Sequence, residues 1–355
     1  MRLLYFIFIG LFMVTACKKP TAPEFDRTAL LTNMANIEIK PALVQFTEDL
    51  VQLSDAATTF ESSTSFDNLT ALRSAFKNAY TQFEKIKMYD FGPAANHGIK
   101  TSMNTYPTDS DKIDANITSG SYSLGAVSNV DAIGFPAIGY LLYNGTDTEV
   151  LNRFSVDPDA ENARIYISAL IAKMNLDFAP VLSEWNTGYT ETFINANGTD
   201  IGSSISLLYN EFVKDLELLK NAKIGIPAGF FSGGETFPTY VEAYYSAESK
   251  TLALTSLTAL KEVFTGGDGI GFDDYMDFVD ETEDLSLTSS EILAQFDVCY
   301  TKVNALNSPL SADIPVNYDG FNEAFQEIKK LVAYAKTDIP TALGVLITFS
   351  DTDGD

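Results

Sequence analysis

The chain has 355 residues and a formal net charge of −25, with 23 Lys and Arg against 48 Asp and Glu. So acidic a field disfavours nucleic acid as a partner and favours cations, cationic ligands or basic surfaces. One histidine and two cysteines exclude a His-Glu-x-x-His zinc site, a Cys-x-x-Cys pair and a disulfide-stapled scaffold.

Met1-Arg2 precedes an apolar run from Leu3 to Val14, followed by Thr15-Ala16-Cys17. One positive charge ahead of a short apolar run reads as a signal peptide, too short to span a bilayer. Val14-Thr15-Ala16-Cys17 resembles the bacterial lipobox, in which the cysteine is acylated and the residues before it are removed. That resemblance implies lipidation of Cys17, the membrane as a partner, and a cell-envelope location at the outer membrane facing the periplasm. Several acyl chains on one residue hold a protein stably on a bilayer. Residues 1–16 are then the signal peptide and 17–25 a lipidated tether. Lys18-Lys19-Pro20-Thr21-Ala22-Pro23 has no apolar periodicity and reads as flexible or extended. With Cys17 lipidated, Cys299 has no partner, so the core alone must stabilise the fold.

Helical spacing dominates the rest. A first helix is predicted over 28–60, kinked or broken at Pro41. Over 67–87, Leu69, Leu72, Phe76, Tyr80, Phe83 and Ile86 mark one face, with Asp67 as N-cap. Residues 90–129, rich in Gly, Pro, Ser, Asn and Asp, read as loop. Ile167, Leu170, Met174, Val181 and Trp185 predict a helix over 160–185. Ile205, Leu208, Phe212, Leu216 and Leu219 predict another over 204–220. A Gly- and Pro-rich loop follows over 223–238. The next helix, 246–265, stops at Gly266-Gly267. Asp273-Asp274 and 280–284 read as an acidic connector, ahead of helices over 289–306 and 319–336.

Two-residue alternation is scarce, so the expected fold is all-α: antiparallel helical bundles with at least seven helices. The break at Asn197-Gly198-Thr199-Asp200 divides it into an N-terminal domain, 26–196, and a C-terminal domain, 197–355. No apolar segment of 18 or more residues is expected to span a membrane.

His97 lies in a Gly/Pro/Asn loop without a nucleophile signature and reads as solvated. Cys299 lies on an apolar stripe and reads as core. The stretch Gly134-Phe135-Pro136-Ala137-Ile138-Gly139-Tyr140-Leu141-Leu142-Tyr143 resembles the signature of the imelysin-like proteins, envelope proteins often encoded with iron-uptake systems. Their signature reads Gly-x-His-x-x-Glu, followed by an aromatic and Leu-Leu. The resemblance extends to Tyr89-Asp90-Phe91-Gly92-Pro93, Asn104-Thr105-Tyr106-Pro107-Thr108-Asp109, Trp185, Tyr245-Ser246 and the ending from Leu343 to Asp355. It implies two helical-bundle domains with the site in the cleft between them, and iron-uptake components as partners.

The departures bear on chemistry. Pro136 stands where the family has its histidine and Gly139 where it has its glutamate. Neither supplies a ligand, base or proton donor, so no catalytic residue is assigned, and peptidase action by the family's route is not expected. The expected cleft is lined by Gly134, Phe135, Pro136, Gly139 and Tyr140. Asp90, Gly92, Pro93, Asp109 and Ser246 join it from the resembling loops. Iron or calcium could still be held by Asp, Glu or Tyr oxygens, from Asp90, Asp109, Asp111 and Asp114 or from Asp351, Asp353 and Asp355. A non-catalytic ligand- or partner-binding lipoprotein is the leading expectation. A metallopeptidase with an atypical site and a scaffolding lipoprotein are the alternatives.

Overall fold

The computed structural model describes residues 24–348; residues 1–23, with Cys17, and the tail with Asp351, Asp353 and Asp355 lie outside them. Among the described residues there is no strand, and the all-α expectation holds. In chain order the helices are α1 (Arg27–Asn33), α2 (Lys40–Ser62), α3 (Phe66–Ile86), α4 (Pro93–Asn96), α5 (Ile99–Met103) and α6 (Ser110–Ser119). Next come α7 (Gly134–Tyr143), α8 (Asp147–Ser155), α9 (Ala160–Glu184), α10 (Thr190–Asn195) and α11 (Ser204–Leu218). The last are α12 (Ser249–Thr265), α13 (Phe272–Glu283), α14 (Ser289–Ala305), α15 (Leu310–Asp313), α16 (Tyr318–Lys336) and α17 (Asp338–Leu343).

The apolar stripes do the packing. Leu69, Leu72, Phe76, Tyr80, Phe83 and Ile86 are buried on α3. Each fully buried Leu or Phe contributes roughly 1.5–3 kcal/mol of transfer free energy. α2 packs against α3 and α9 to form a first bundle, and α14 packs against both α12 and α16 in a second. α3 crosses to pack on α12, joining the two groups. The start of the described chain also reaches the later half: Phe25 stacks on Tyr275 at 4.3 Å, and Asn33 Nδ2 donates to Gly266 O at 2.8 Å.

Several boundaries differ from the sequence reading. Ser65 caps α3, its side chain accepting from Asn68 N, and Asp67 falls inside the first turn. Pro41 breaks nothing, because α1 runs through a π-turn, Met34–Ile39, into α2, and Pro41 sits in the first turn of α2, where its missing N–H is no loss. The 90–129 stretch folds into α4, α5 and α6. Residues 272–283 are a helix rather than a connector, because Phe272, Tyr275 and Met276 bury one face. One helix among the described residues, Ala160–Asn195, is long and apolar enough to cross a membrane, contrary to the expectation of none. Its Tyr166, Leu170, Met174 and Phe178 are buried in the core, and the helix packs against α2.

Candidate functional site

The signature helix α7 is buried from Gly134 to Leu142. Gly134 has φ +72, and a Cβ there would lie 2.2 Å from Met103 O. Only glycine fits that close, left-handed start. Pro136 occupies the first helical turn, where an N–H would have no helical acceptor. Phe135 enters the core and stacks on Tyr80 at 4.4 Å. Gly139 has no backbone demand for glycine, since an added Cβ would meet only Phe76 Cζ at an ordinary 3.5 Å. Its missing side chain leaves space.

That space is a cleft of about 280 Å³ walled by Pro136 and Gly139 with Phe76, Tyr80, Tyr106, Tyr240, Tyr244, Tyr245 and Ser246. Its lining is aromatic and hydroxyl-bearing, without a carboxylate or a histidine. Burial holds the hydroxyls of Tyr80 and Tyr106 well above the usual tyrosine range, so both stay protonated.

Tyr106 also walls a second cavity, of about 410 Å³, with Lys87, Asp90, Lys100, Lys214, Lys223 and Glu242. The groups come from separate elements. Glu84 lies near the end of α3 and Lys87 just beyond it. Lys100 is on α5, Asp215 on α11, Lys223 in a π-turn, Leu219–Gly225, and Glu242 in the segment ahead of α12. Ala243 and Ala247 beside Glu242 hold left-handed backbone, φ 53 and 59, a conformation that costs alanine about 1 kcal/mol or more.

Lys87 Nζ lies 2.8 Å from Asp215 and 3.5 Å from Glu84. Lys223 Nζ lies 2.9 Å from Glu84 and also pairs with Glu242. Asn104 Nδ2 donates to Glu242 at 2.6 Å, and Tyr80 OH donates to Asn104 Oδ1 at 2.5 Å, linking cleft to cavity. Burial pushes the Glu84 carboxyl up to about 8; Glu242 adds to the rise, and Lys223 and Lys87 oppose it. For Asp215 burial also raises the carboxyl, but Lys87 and Lys100 outweigh it and hold it at about 2. Glu242 is likewise buried, yet Lys223 and Lys87 bring it below the usual range.

The expected site residues separate. Phe135, Pro136, Gly139 and Ser246 line the aromatic cleft, and Asp90 lines the lysine-walled cavity. Gly134 sets the helix start. Tyr140 turns to another side, donating to Asp114 Oδ2 at 2.7 Å. Asp109 caps α6 by accepting from Lys112 N at 3.0 Å. Gly92 and Pro93 begin α4, where Gly92 packs on Tyr189. His97 forms a surface pair with Glu184 at 2.7 Å. Sequence reasoning missed Glu84, Lys87, Lys100, Asp215, Lys223 and Glu242. A signal existed: Tyr80, Glu84 and Lys87 are spaced 4 and 3 along α3, placing charge on its buried stripe.

The imelysin family model (peptidase M75) matches residues 39–337. The chain belongs to the imelysin family. Among solved structures, this imelysin-family chain is similar to a protein assigned as an iron-regulated protein A precursor from Parabacteroides distasonis ATCC 8503. The TM-score is 0.75 at 16% identity, covering 91% of this chain and 97% of that one. It is also similar to an imelysin-like protein from Psychrobacter arcticum 273-4, with TM-score 0.72, 16% identity and the same coverage. These likenesses establish the fold. No curated protein matches the sequence.

The residues at the signature do not fit a metal. Pro136 and Gly139 offer no donor, and among the described residues no group of three or more His, Cys, Asp or Glu is placed to hold an ion. Where carboxylates do converge, at Glu84 and Glu242, the ammonium of Lys223 bridges them in the place a cation would take.

Proposed function

We propose that this imelysin-family chain is a non-catalytic binding protein whose ligand sits in the aromatic cleft beside Pro136 and Gly139. The observation that carries this reading is the cleft itself. The two signature positions that would supply chemistry form its wall without a reactive group, and tyrosine rings complete it. Such a pocket holds an apolar or aromatic body by dispersion and burial, with tyrosine hydroxyls as orienting donors. The reading keeps the envelope setting: lipid on Cys17 would tether the helical body through 17–25 at the outer membrane. One structural relative is named as iron-regulated, which supports a link to iron uptake, with components of that system as partners. Metallopeptidase action through the signature has no donor to start from.

Titration of the purified chain with the neutral fluorophore N-phenyl-1-naphthylamine tests it. Gly139→Leu adds a side chain to the open space and should abolish one saturable site while leaving helix content unchanged. Equal binding by the wild type and Gly139→Leu would sink the cleft assignment.

A further inference from the structure

One wall of the aromatic cleft is a single segment, 239–246. Every residue of it except Glu242 lines the cleft, and Glu242 lines the neighbouring cavity instead. Between Tyr240 and Ser249 no helix holds the segment, and Ala243 keeps left-handed backbone at φ 53. Backbone in that region persists only where surrounding contacts fix it.

Glu242 supplies such contacts. Its carboxylate accepts from Asn104 Nδ2 at 2.6 Å and pairs with Lys223, and its backbone carbonyl accepts from Ser249 Oγ at 2.5 Å. Asn104 also accepts from Tyr80 OH, a cleft residue, at 2.5 Å, so the carboxylate reaches the cleft by two routes. Glu84 is hydrogen-bonded to Glu242 and shares Lys223 with it. Two carboxylates have no donor between them, so that bond exists only while one of the pair is an acid. The proton sits on Glu84. Burial and then Glu242 raise its carboxyl to about 8, whereas Glu242, also buried, is brought below the usual range by Lys223 and Lys87. Further charges surround the pair: Lys87 beyond α3 is paired with Asp215 of α11, and Lys100 of α5 stands by Asp215 too. Tyr80 and Tyr106 flank it as neutral phenols. From α12, packed on α3, Ser249 reaches Glu242 and Ser256 reaches Asp215.

We propose that Glu84 and Glu242 form a proton-operated latch on the wall of the aromatic cleft. With its proton, Glu84 donates to Glu242 and holds 239–246 in the shape that takes a ligand. Without it, a second buried negative charge faces Glu242, the contact turns repulsive, and the wall loosens. The consequence for binding rests on the cleft reading above; the latch itself is a property of the wall. The protonated form binds more tightly, so affinity is full at neutral and acid pH and falls as pH rises through about 8.

Two measurements on the purified chain test it, each at pH 7 and pH 9 with wild type and Glu84→Gln. The glutamine amide can donate to Glu242 as the acid does, but it does not titrate. In hydrogen exchange read by mass spectrometry and corrected for the chemical rate, protection of 239–246 in the wild type should drop at pH 9 by more than that of α14. Glu84→Gln should remove the difference. Titration with N-phenyl-1-naphthylamine, neutral throughout, should show severalfold weaker wild-type binding at pH 9 and equal affinity at both pH values for Glu84→Gln. Unchanged protection of 239–246 in the wild type overturns the proposal and needs no variant to fold. The same pH dependence in Glu84→Gln, or pH-independent wild-type affinity, overturns it as well. If the fluorophore finds no saturable site, or binds Gly139→Leu equally, the cleft reading fails, and exchange at 239–246 decides the latch by itself.

Discussion

Lys223 bridges two carboxyl groups that are almost wholly buried: the side chains of Glu84, Glu242 and Lys223 are 0%, 2% and 3% exposed. Lys223→Met keeps the bulk and removes the charge. Breaking a buried ion pair from one side costs roughly 3–5 kcal/mol, because the remaining charge stays desolvated. Here the loss should fall near the lower end, about 3 kcal/mol, for two reasons. Glu84, with its carboxyl pushed up to about 8, is already protonated near neutral pH, so only Glu242 is stranded. Glu242 also keeps its bond from Asn104 Nδ2. Adding Glu242→Gln removes the stranded charge and should recover about 2 kcal/mol of that loss, since a neutral buried amide has a smaller desolvation cost. Denaturant unfolding of the four forms of the cycle, followed by circular dichroism with slopes compared, measures this coupling. A cost under about 1 kcal/mol for Lys223→Met, or a double variant no more stable than the single, would refute a buried bridge at this place.

Other expectations follow from the same geometry. The folded state holds a proton on Glu84 that the unfolded chain releases, so this group's stabilisation is full at acid pH and lost as pH rises through about 8. Glu84→Gln should flatten that loss in stability profiles between pH 5 and 9; an unchanged slope would contradict it. Asp215, held at about 2, has the opposite sign: its contribution is present above the usual aspartate range and lost as pH falls through about 2. Gly134→Ala should destabilise by about 3 kcal/mol or more, from a left-handed backbone and a clash with Met103 O, whereas Gly139→Ala should change stability by under about 1 kcal/mol. Thermal unfolding compares the two, and equal effects would be against the account. Cys299 is buried and its thiol is pushed up to about 12, so it should resist aromatic disulfide reagents until the chain unfolds. Rapid labelling in the native state would contradict its placement.

The helices were legible because their apolar stripes repeat within one element. The buried faces of α3, α9, α11, α14 and α16 lie where those stripes put them. Boundaries were less so, because caps compete locally: Ser65 takes the role that Asp67 could have filled. The short helices within 90–129 were hidden because four- and five-residue helices carry no full period. At the site, the signature run Gly134–Tyr143 could be singled out from the sequence, but the cleft could not, because it depends on Tyr240, Tyr244 and Tyr245 returning from about a hundred residues away. The ion set was missed for the same reason. Lys223 and Glu84 are 139 residues apart, and local spacing shows only that each element buries a charge, not which charge it meets.

Equilibrium dialysis of the purified chain against Fe²⁺, Fe³⁺, Zn²⁺ and Ca²⁺, with Gly139→Leu alongside, tests the central claim most directly. A cleft without donors at Pro136 and Gly139 predicts no stoichiometric metal that the Gly139→Leu plug removes, and only the weak binding of a charge-matched acidic control. One tightly held metal per wild-type chain, lost in Gly139→Leu, would contradict the account and place metal chemistry back in the signature cleft.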